Sequence, residues 1–160
     1  MTSYVNHESI VSALGKEQDS QEIQSLLNSL QIAFADIPVV DKDFMTRQLD
    51  LNEQGVTIVF EDIGRFRKIE NHDLGDGPYV LKNIAFMGYK NKFKKYAKFP
   101  INGLSFDATL DEVVAIVGEP TKRPPRENMP IGWVYESYKF AMFWPDAKNR
   151  MESIAYWWNT

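Results

Sequence analysis

The segment FPINGLSFDATLDEVVAIVGEP, residues 99–120, decides the fold prediction because it contains one complete helix with both of its ends. Asp107 or Thr109 can cap the helix, since each offers a side-chain oxygen to the free amides of the first turn. Gly118 and the following Glu-Pro then end it. The apolar residues in between recur at helical spacing and form one stripe of Leu110, Val113, Val114 and Val117, with Ile116 at its edge. A short helix with one apolar face must pack on another layer, and we predict that this layer is a sheet built from the aromatic C-terminal segment.

The composition of the 160-residue chain limits the possible functions. A hydrophobic fraction of 44% is enough for a core, and an aromatic fraction of 13% favours strands. The chain has no cysteine, which excludes disulfides and thiolate chemistry, and its net charge of −4 argues against nucleic acid or an anionic membrane as a partner. No apolar run is long enough to span a bilayer, and the N-terminus lacks the basic start of a secretory signal. We therefore expect a cytoplasmic protein, unless a signal segment has been removed.

Outside residues 99–120, the pattern of apolar residues predicts an α+β protein. Residues 21–33 carry apolar side chains at helical spacing, and residues 7–14 predict a shorter helix that ends at Gly15. Asp19 or Ser20 can cap the longer helix. β-Branched and aromatic residues predict strands at 44–51, 55–60, 79–89, 132–136, 138–144 and 151–158. In each half of the chain, helical segments thus precede a group of strands.

Internal similarity predicts two tandem units, residues 1–98 and 99–160, within a single domain. Ile84-Ala85-Phe86 matches Ile154-Ala155-Tyr156, and the strand GVTIVF at 55–60 matches YKFAMF at 138–143 in character. Each unit would be a helical segment followed by an antiparallel meander, too thin to hold a core alone. We therefore expect the units to form one sheet or two packed sheets, with the helices on one face.

Standard catalytic and metal-binding motifs are absent from the sequence. His7 and His72 lie far apart in the chain, and no HExxH motif, phosphate-binding glycine loop or serine elbow occurs. Asp73 and Asp76 beside His72 could hold a cation. Their spacing, however, lacks the oxygen ligands at alternate positions that a calcium-binding loop has, and fits a solvated acidic turn. We expect no catalytic residues, no metal and no cofactor.

The basic run KNKFKKYAK, residues 90–98, has Phe93 and Tyr96 interleaved with its lysines. It could follow a nucleic-acid backbone with aromatic stacking, or meet an acidic protein surface. It could also be a strand end or loop whose lysines discourage edge pairing. Because the whole chain is acidic, we favour this last interpretation and predict no nucleic-acid partner.

Residues 61–78, EDIGRFRKIENHDLGDGP, mix charges of both signs with glycines. Their apolar residues recur at neither helical nor strand spacing. This pattern predicts a long excursion between two strands, and such loops on a rigid scaffold often carry function. A merely solvated loop is the alternative. A partner-binding surface would consist of this excursion, supported by the loop 122–128. The candidate contact residues are Glu61, Asp62, Arg65, Arg67, Glu70, His72, Asp73, Asp76, Arg126 and Glu127.

Several segments resemble a family of small bacterial proteins that are encoded beside polymorphic toxins and are thought to act as their immunity partners. The resemblance lies in the Leu14-Gly15 helix end, the strand GVTIVFED, the segment FMGYKNKFKKYAKFPINGLSF and the helix ending VVAIVGEP. In that family, a Tyr-x-x-(Phe or Leu)-Pro-x-Gly-Leu-x-Phe segment precedes a helix that ends in Gly-x-Pro. The corresponding positions here are Tyr96, Phe99, Pro100, Gly103, Leu104, Phe106, Gly118 and Pro120. The chain departs from the family in one place, where two residues, Ile101 and Asn102, separate Pro100 from Gly103 instead of one. The helix-plus-meander unit is also similar to the tandem repeats of the β-lactamase-inhibitor-protein and outer-membrane-assembly-lipoprotein architecture.

The resemblance implies an immunity protein in bacterial competition, which binds a cognate toxin or secretion-system effector and neutralises it by occluding its active or substrate-binding site. Acidic patches would suit a toxin with a basic cleft. No binding residue carries over, because immunity proteins bind through surfaces that differ between partners. The alternative is an envelope-associated assembly or structural module of the same architecture. Nothing in the sequence predicts an oligomeric state.

Overall fold

The computed structural model describes residues 4–124, 126, 128–145 and 150–159, with Phe66 described by its backbone alone. The helices are α1 (His7–Ala13), α2 (Gln21–Ser29), α3 (Ile63–Arg67) and α4 (Leu110–Val117), with a 3-10 turn at Phe34–Asp36. The strands are β1 (Val39–Asp41), β2 (Thr46–Leu51), β3 (Val56–Asp62), β4 (Tyr79–Met87), β5 (Ile131–Val134), β6 (Tyr138–Phe143) and β7 (Ser153–Trp158). Within these ranges, every helix is too short or too polar to cross a bilayer.

The strands form one antiparallel sheet in the order β1-β2-β3-β4-β7-β6-β5. The last strands of the two halves, β4 and β7, pair with each other, with Ala85 opposite Ala155 and Ile84 opposite Tyr156. The α+β prediction is thus confirmed, and of the two predicted arrangements the single sheet is the one observed. The edge strands are β1 and β5, and an isolated bridge joins Lys122 to Gly132 in β5.

One face of the sheet is buried in the core. Along β3, Val56, Ile58 and Phe60 are fully buried, whereas Thr57 and Val59 between them are only half-buried. The same alternation runs through β6 and β7, and the buried side chains form one cluster with those of α1, α2 and α4. Alternation with a period of two is what burying one face of a strand requires. Each large apolar side chain buried here stabilises the fold by roughly 1.5–3 kcal/mol.

Side-chain caps begin the helices that the sequence predicts. The Ser20 hydroxyl accepts the Ile23 N–H at 3.3 Å, and the Thr109 hydroxyl accepts the Glu112 N–H at 3.1 Å. The structure thereby selects Ser20 and Thr109 from the alternative caps that the sequence leaves open. Gly118 follows α4 with a φ of +93°, a backbone conformation that favours glycine.

Two segments differ from the prediction. The residues after Pro38, where the sequence pattern predicts no strand, form the short edge strand β1. Pro38 itself stands just outside this strand, where its missing N–H removes no ladder hydrogen bond. Residues 63–67, predicted as part of an irregular excursion, form α3, whose five residues are too few to show a helical period in the sequence.

Candidate protein-binding surface

The excursion 61–78 is held in shape by one buried carboxylate, that of Asp62, which ends β3 and caps α3. Its Oδ1 accepts the Gly64 N–H at 2.8 Å, and its Oδ2 accepts the N–H groups of Gly77 at 2.7 Å and Gly75 at 3.2 Å. The carboxylate therefore ties the start of the excursion to its end. A hydrogen bond to a charged group contributes roughly 1.5–3 kcal/mol, so these bonds can fix a loop that has little regular structure.

The same hydrogen bonds control the charge of Asp62. Burial alone would raise the pKa of the carboxyl group, but the N–H groups of Gly77, Gly64 and Gly75, together with the His72 imidazole, hold the pKa below its ordinary value of 3.8. His72 Nε2 lies 3.0 Å from Asp62 Oδ1, although the two are not aligned for a hydrogen bond. The imidazole packs on Gly64, where a methyl group would lie 2.0 Å from His72 Cδ2. Asp62 is therefore ionised at neutral pH, and a side chain at position 64 would displace the imidazole.

The turn between β1 and β2 packs against the excursion. The Met45 carbonyl accepts the Asp62 N–H at 3.3 Å, and a methyl group at Gly75 would lie 3.0 Å from Met45 Cε. The Arg65 guanidinium carbon lies 4.5 Å from the centroid of the Phe44 ring, a distance at which a cation and an aromatic face attract each other. Two segments that are separated in sequence thus meet at the end of β3.

These segments expose large apolar side chains. Half of the large hydrophobic residues that are exposed in the described part of the chain lie in β1, the β1–β2 turn or the excursion, namely Val39, Val40, Phe44, Ile69 and Leu74. We call Phe44, Arg65, Ile69 and Leu74 the loop surface. Exposed apolar side chains that concentrate in one region, beside an arginine, are typical of a protein-binding site.

The predicted contact residues of the excursion differ in accessibility. Asp62 is fully buried, and Glu61 is 7% exposed with its Oε2 3.3 Å from Lys82 Nζ. Asp62 can therefore act on a partner only through the loop that it orders. His72 is half-buried, and the exposed charged residues are Arg65, Arg67, Lys68, Glu70, Asp73 and Asp76. The exposed charges of the excursion are thus of both signs, as its sequence indicates.

The supporting loop 122–128 is not brought to the excursion. β5 begins with Ile131, which is level with Phe86 across the sheet, and this is the opposite end of β4 from the excursion. Two strands, β6 and β7, also separate β5 from β4. Arg126 is exposed in this distant loop, and Glu127 lies outside the described residues.

The apolar part of the surface was missed by sequence reasoning. The sequence pattern predicts Phe44 and Met45 as the start of a strand, and Ile69 and Leu74 as parts of an irregular loop. The available local signal was Asp62 just before a short helix, which is a common N-cap pattern. No local pattern could have indicated the contact of Met45 with Gly75, because it joins segments that are 30 residues apart in numbering.

A second cluster of polar and aromatic groups lies around His7, at the start of α1. His7 Nδ1 is 2.9 Å from the Tyr156 hydroxyl, and the rings of Tyr138 and Phe140 have their centroids 5.9 and 5.8 Å from that of His7. Burial lowers the pKa of His7, an effect that Glu8 opposes, and burial raises the pKa of Tyr156. Because His7 and Tyr156 already partner each other, we assign this cluster to the packing of α1 on the sheet.

No group of three potential metal ligands occurs among the residues that the structure describes. Comparison of the chain with protein-family models, with curated proteins and with solved structures found no match. The functional assignment therefore depends on the residues and the geometry.

Proposed function

We propose that this protein is an immunity protein that binds a cognate bacterial toxin through the loop surface and neutralises it by occluding its active or substrate-binding site. The observation that carries the proposal is the exposure of Phe44, Ile69 and Leu74, at 45%, 46% and 45%, in two segments that pack together, with Arg65 over the ring of Phe44. Aromatic residues and arginine are enriched at the centres of protein interfaces. The family resemblance of residues 96–120 supports the same function. The protein acts by binding in the cytoplasm, without catalysis or a cofactor.

The order of the excursion supports a binding role. Because Asp62 already holds Gly64, Gly75 and Gly77, a partner does not have to order this segment when it binds. Ordering a flexible side chain on binding costs roughly 0.5–1.5 kcal/mol, and a preformed loop avoids much of this cost.

The exposed charges define the partner surface. Arg65 and Arg67 lie at one end of the excursion, while Glu70, Asp73 and Asp76 lie towards the other. We infer that the toxin presents an apolar centre flanked by an acidic and a basic region. Such complementarity mainly accelerates association and selects the correct partner.

We also propose that the domain consists of two tandem helix-plus-meander units with the helices on one face. Support for the units comes from the centre of the sheet, where Ile84 pairs with Tyr156 and Phe86 with Ile154. These are the positions that match in sequence, exchanged across an antiparallel pair, as two-fold related units would be. Support for the placement of the helices comes from the single cluster that joins the buried residues of α1, α2 and α4 to one face of the sheet.

The experiment that tests this function is co-expression with the protein encoded beside this chain. A tag on this chain should recover a stoichiometric complex, and the neighbouring protein should be toxic when it is expressed alone. If no complex were recovered and the neighbouring protein were not toxic, the immunity function would be contradicted and the alternative of an assembly module favoured.

A pair of matched variants tests the surface. Leu74→Asp places a charge in the loop surface, and we expect it to weaken toxin binding by about a hundredfold or more, the effect of a loss near 3 kcal/mol at an interface centre. Ile116→Asp, on α4, alters a similarly exposed apolar residue at 50% exposure and should leave affinity unchanged. A complex that forms normally with Leu74→Asp but not with Ile116→Asp would place the interface elsewhere.

A further inference from the structure

A cleft of about 510 Å³ lies at the end of β4 that is opposite to the excursion. Its wall is the loop that follows β4, together with Pro145 just after β6 and Arg150 just before β7. The loop is closed by two backbone hydrogen bonds, from the Tyr89 N–H to the Met151 carbonyl at 3.0 Å and from the Tyr96 N–H to the Met87 carbonyl at 2.9 Å. The basic run, residues 90–98, thus belongs to a loop that is hydrogen-bonded to the backbone at or next to the sheet near both of its ends.

Cationic side chains line this cleft. Lys95 Nζ and the Arg150 guanidinium carbon lie 5.0 and 5.4 Å from the centroid of the Tyr89 ring, and Lys90 Nζ lies 6.0 Å from that of Phe93. None of these cations forms an ion pair with a carboxylate among the described residues. Among the described residues, a carboxylate that contacts the lining is that of Asp107, which accepts a hydrogen bond from the Tyr89 hydroxyl. The lining therefore carries an excess of positive charge on an acidic chain.

Protection of a sheet edge does not account for these lysines. β4 has β3 on one side and β7 on the other, and the edges of the sheet are β1 and β5. Lysines that discourage edge pairing act on strands whose hydrogen-bonding groups are unpaired. The loop follows a paired strand, so its positive charge needs another explanation.

We propose that this cleft binds a phosphorylated small molecule that carries a planar ring, such as a nucleotide. Lys90, Lys95 and Arg150 provide ammonium and guanidinium donors for phosphoryl oxygens. The partly exposed ring of Phe93 offers a face for stacking. The volume falls within the range of small-molecule sites. A compact cleft on a chain of net charge −4 favours a small molecule over a nucleic-acid strand, which would need a longer basic track.

Titration calorimetry at low ionic strength tests the proposal with ADP, inorganic pyrophosphate and a short single-stranded oligonucleotide as probes. We expect saturable binding of ADP, weaker binding of pyrophosphate, and an affinity for ADP that falls as salt is added. The double variant Lys95→Gln/Arg150→Gln should bind ADP at least about tenfold more weakly, because it removes two charge-assisted contacts. Lys42→Gln, which removes an exposed lysine from the β1–β2 turn, should bind ADP as the wild type does.

Absence of saturable ADP binding would overturn the proposal, as would equal ADP affinity in the double variant and the wild type. Pyrophosphate binding as tight as ADP binding would overturn the choice of a ligand with a ring. Binding of the oligonucleotide without binding of ADP would show a nucleic-acid site instead. Because the altered residues are exposed, circular dichroism of the double variant should match that of the wild type, and a loss of binding then reports on the cleft.

Discussion

Asparagine at position 62 would keep the shape of the side chain but supply only one acceptor oxygen. Its NH₂ group would face either the N–H of Gly64 or the N–H groups of Gly75 and Gly77. We expect Asp62→Asn to lower the free energy of unfolding by about 3 kcal/mol, the value of one or two hydrogen bonds to a charged group. Urea denaturation measures this change. Asp73→Asn is the control, since this exposed carboxylate should be replaceable within about 0.5 kcal/mol.

The pH dependence of the same pair of proteins provides a second check. Folding lowers the pKa of Asp62 below 3.8, so its contribution to stability is fully present above that pH and is lost as the pH falls through the folded-state pKa. The difference in unfolding free energy between wild type and Asp62→Asn should therefore shrink in strong acid. A difference that stays constant down to the lowest accessible pH would mean that the charge of Asp62 does not stabilise the fold.

His7 should have a pH effect in a different range. Burial lowers its pKa below 6.5, so the unfolded chain binds a proton at a pH where the folded protein does not. Stability that depends on neutral His7 is present above pH 6.5 and falls as the pH drops below it. The stability advantage of wild type over His7→Gln should therefore decrease as the pH is lowered from 6.5 towards the folded-state pKa of His7. Urea denaturation at several pH values measures it. An advantage that grows on acidification would indicate that the folded state favours charged His7.

At the scale of elements, the turn between β2 and β3 packs closely on the second half of the basic run. A methyl group at Gly55 would lie 2.1 Å from the Lys94 carbonyl oxygen and 2.8 Å from the Tyr96 nitrogen, and Gly55 has a φ of +75°. Backbone atoms cannot move aside as the end of a side chain can. The packing of one element on another therefore depends on the lack of a side chain at this position.

We expect Gly55→Ala to lower the free energy of unfolding by about 3 kcal/mol or more, from strain at positive φ and from the backbone clash. Gly103→Ala is a matched control with a φ of +85°, because its methyl group would meet only the flexible Ile116 Cδ1 at 3.1 Å. That variant should lose about 1 kcal/mol, mainly from the backbone conformation. Thermal denaturation of both proteins separates the two contributions. Equal losses would show that the contact with Lys94 and Tyr96 is not decisive.

At the scale of the whole molecule, the pairing of β4 with β7 joins the two halves in one sheet. The four tryptophans all lie in the second half, at positions 133, 144, 157 and 158, so their fluorescence reports on that half. We expect urea unfolding followed by tryptophan fluorescence to coincide with unfolding followed by far-ultraviolet circular dichroism, as a single cooperative transition requires. Phe44→Trp adds a probe to the first half and should report the same midpoint. Separate midpoints would show that the halves unfold independently.

The local elements could largely be predicted from the sequence. α4 follows from a capping threonine, an apolar stripe and Gly118, which all lie within ten residues of one another and act through neighbouring backbone groups. β3 and β7 follow from β-branched and aromatic residues with one buried face. The exposed charges of the candidate site, such as Glu70 and Asp73, could also be predicted, because an irregular charged segment rarely lies in a core.

The remaining features depend on contacts between residues that are distant in the chain. Whether the two halves share a sheet depends on β4 pairing with β7. The residue pattern of a strand predicts that it is a strand, but does not predict which other strand it pairs with. The burial of Asp62 depends on glycines at positions 64, 75 and 77 converging on it. The loop surface exists because the β1–β2 turn folds onto the excursion. Periodicity and capping act over a few residues, so they determine helices and strands, whereas the free energy of long-range packing determines which of them touch.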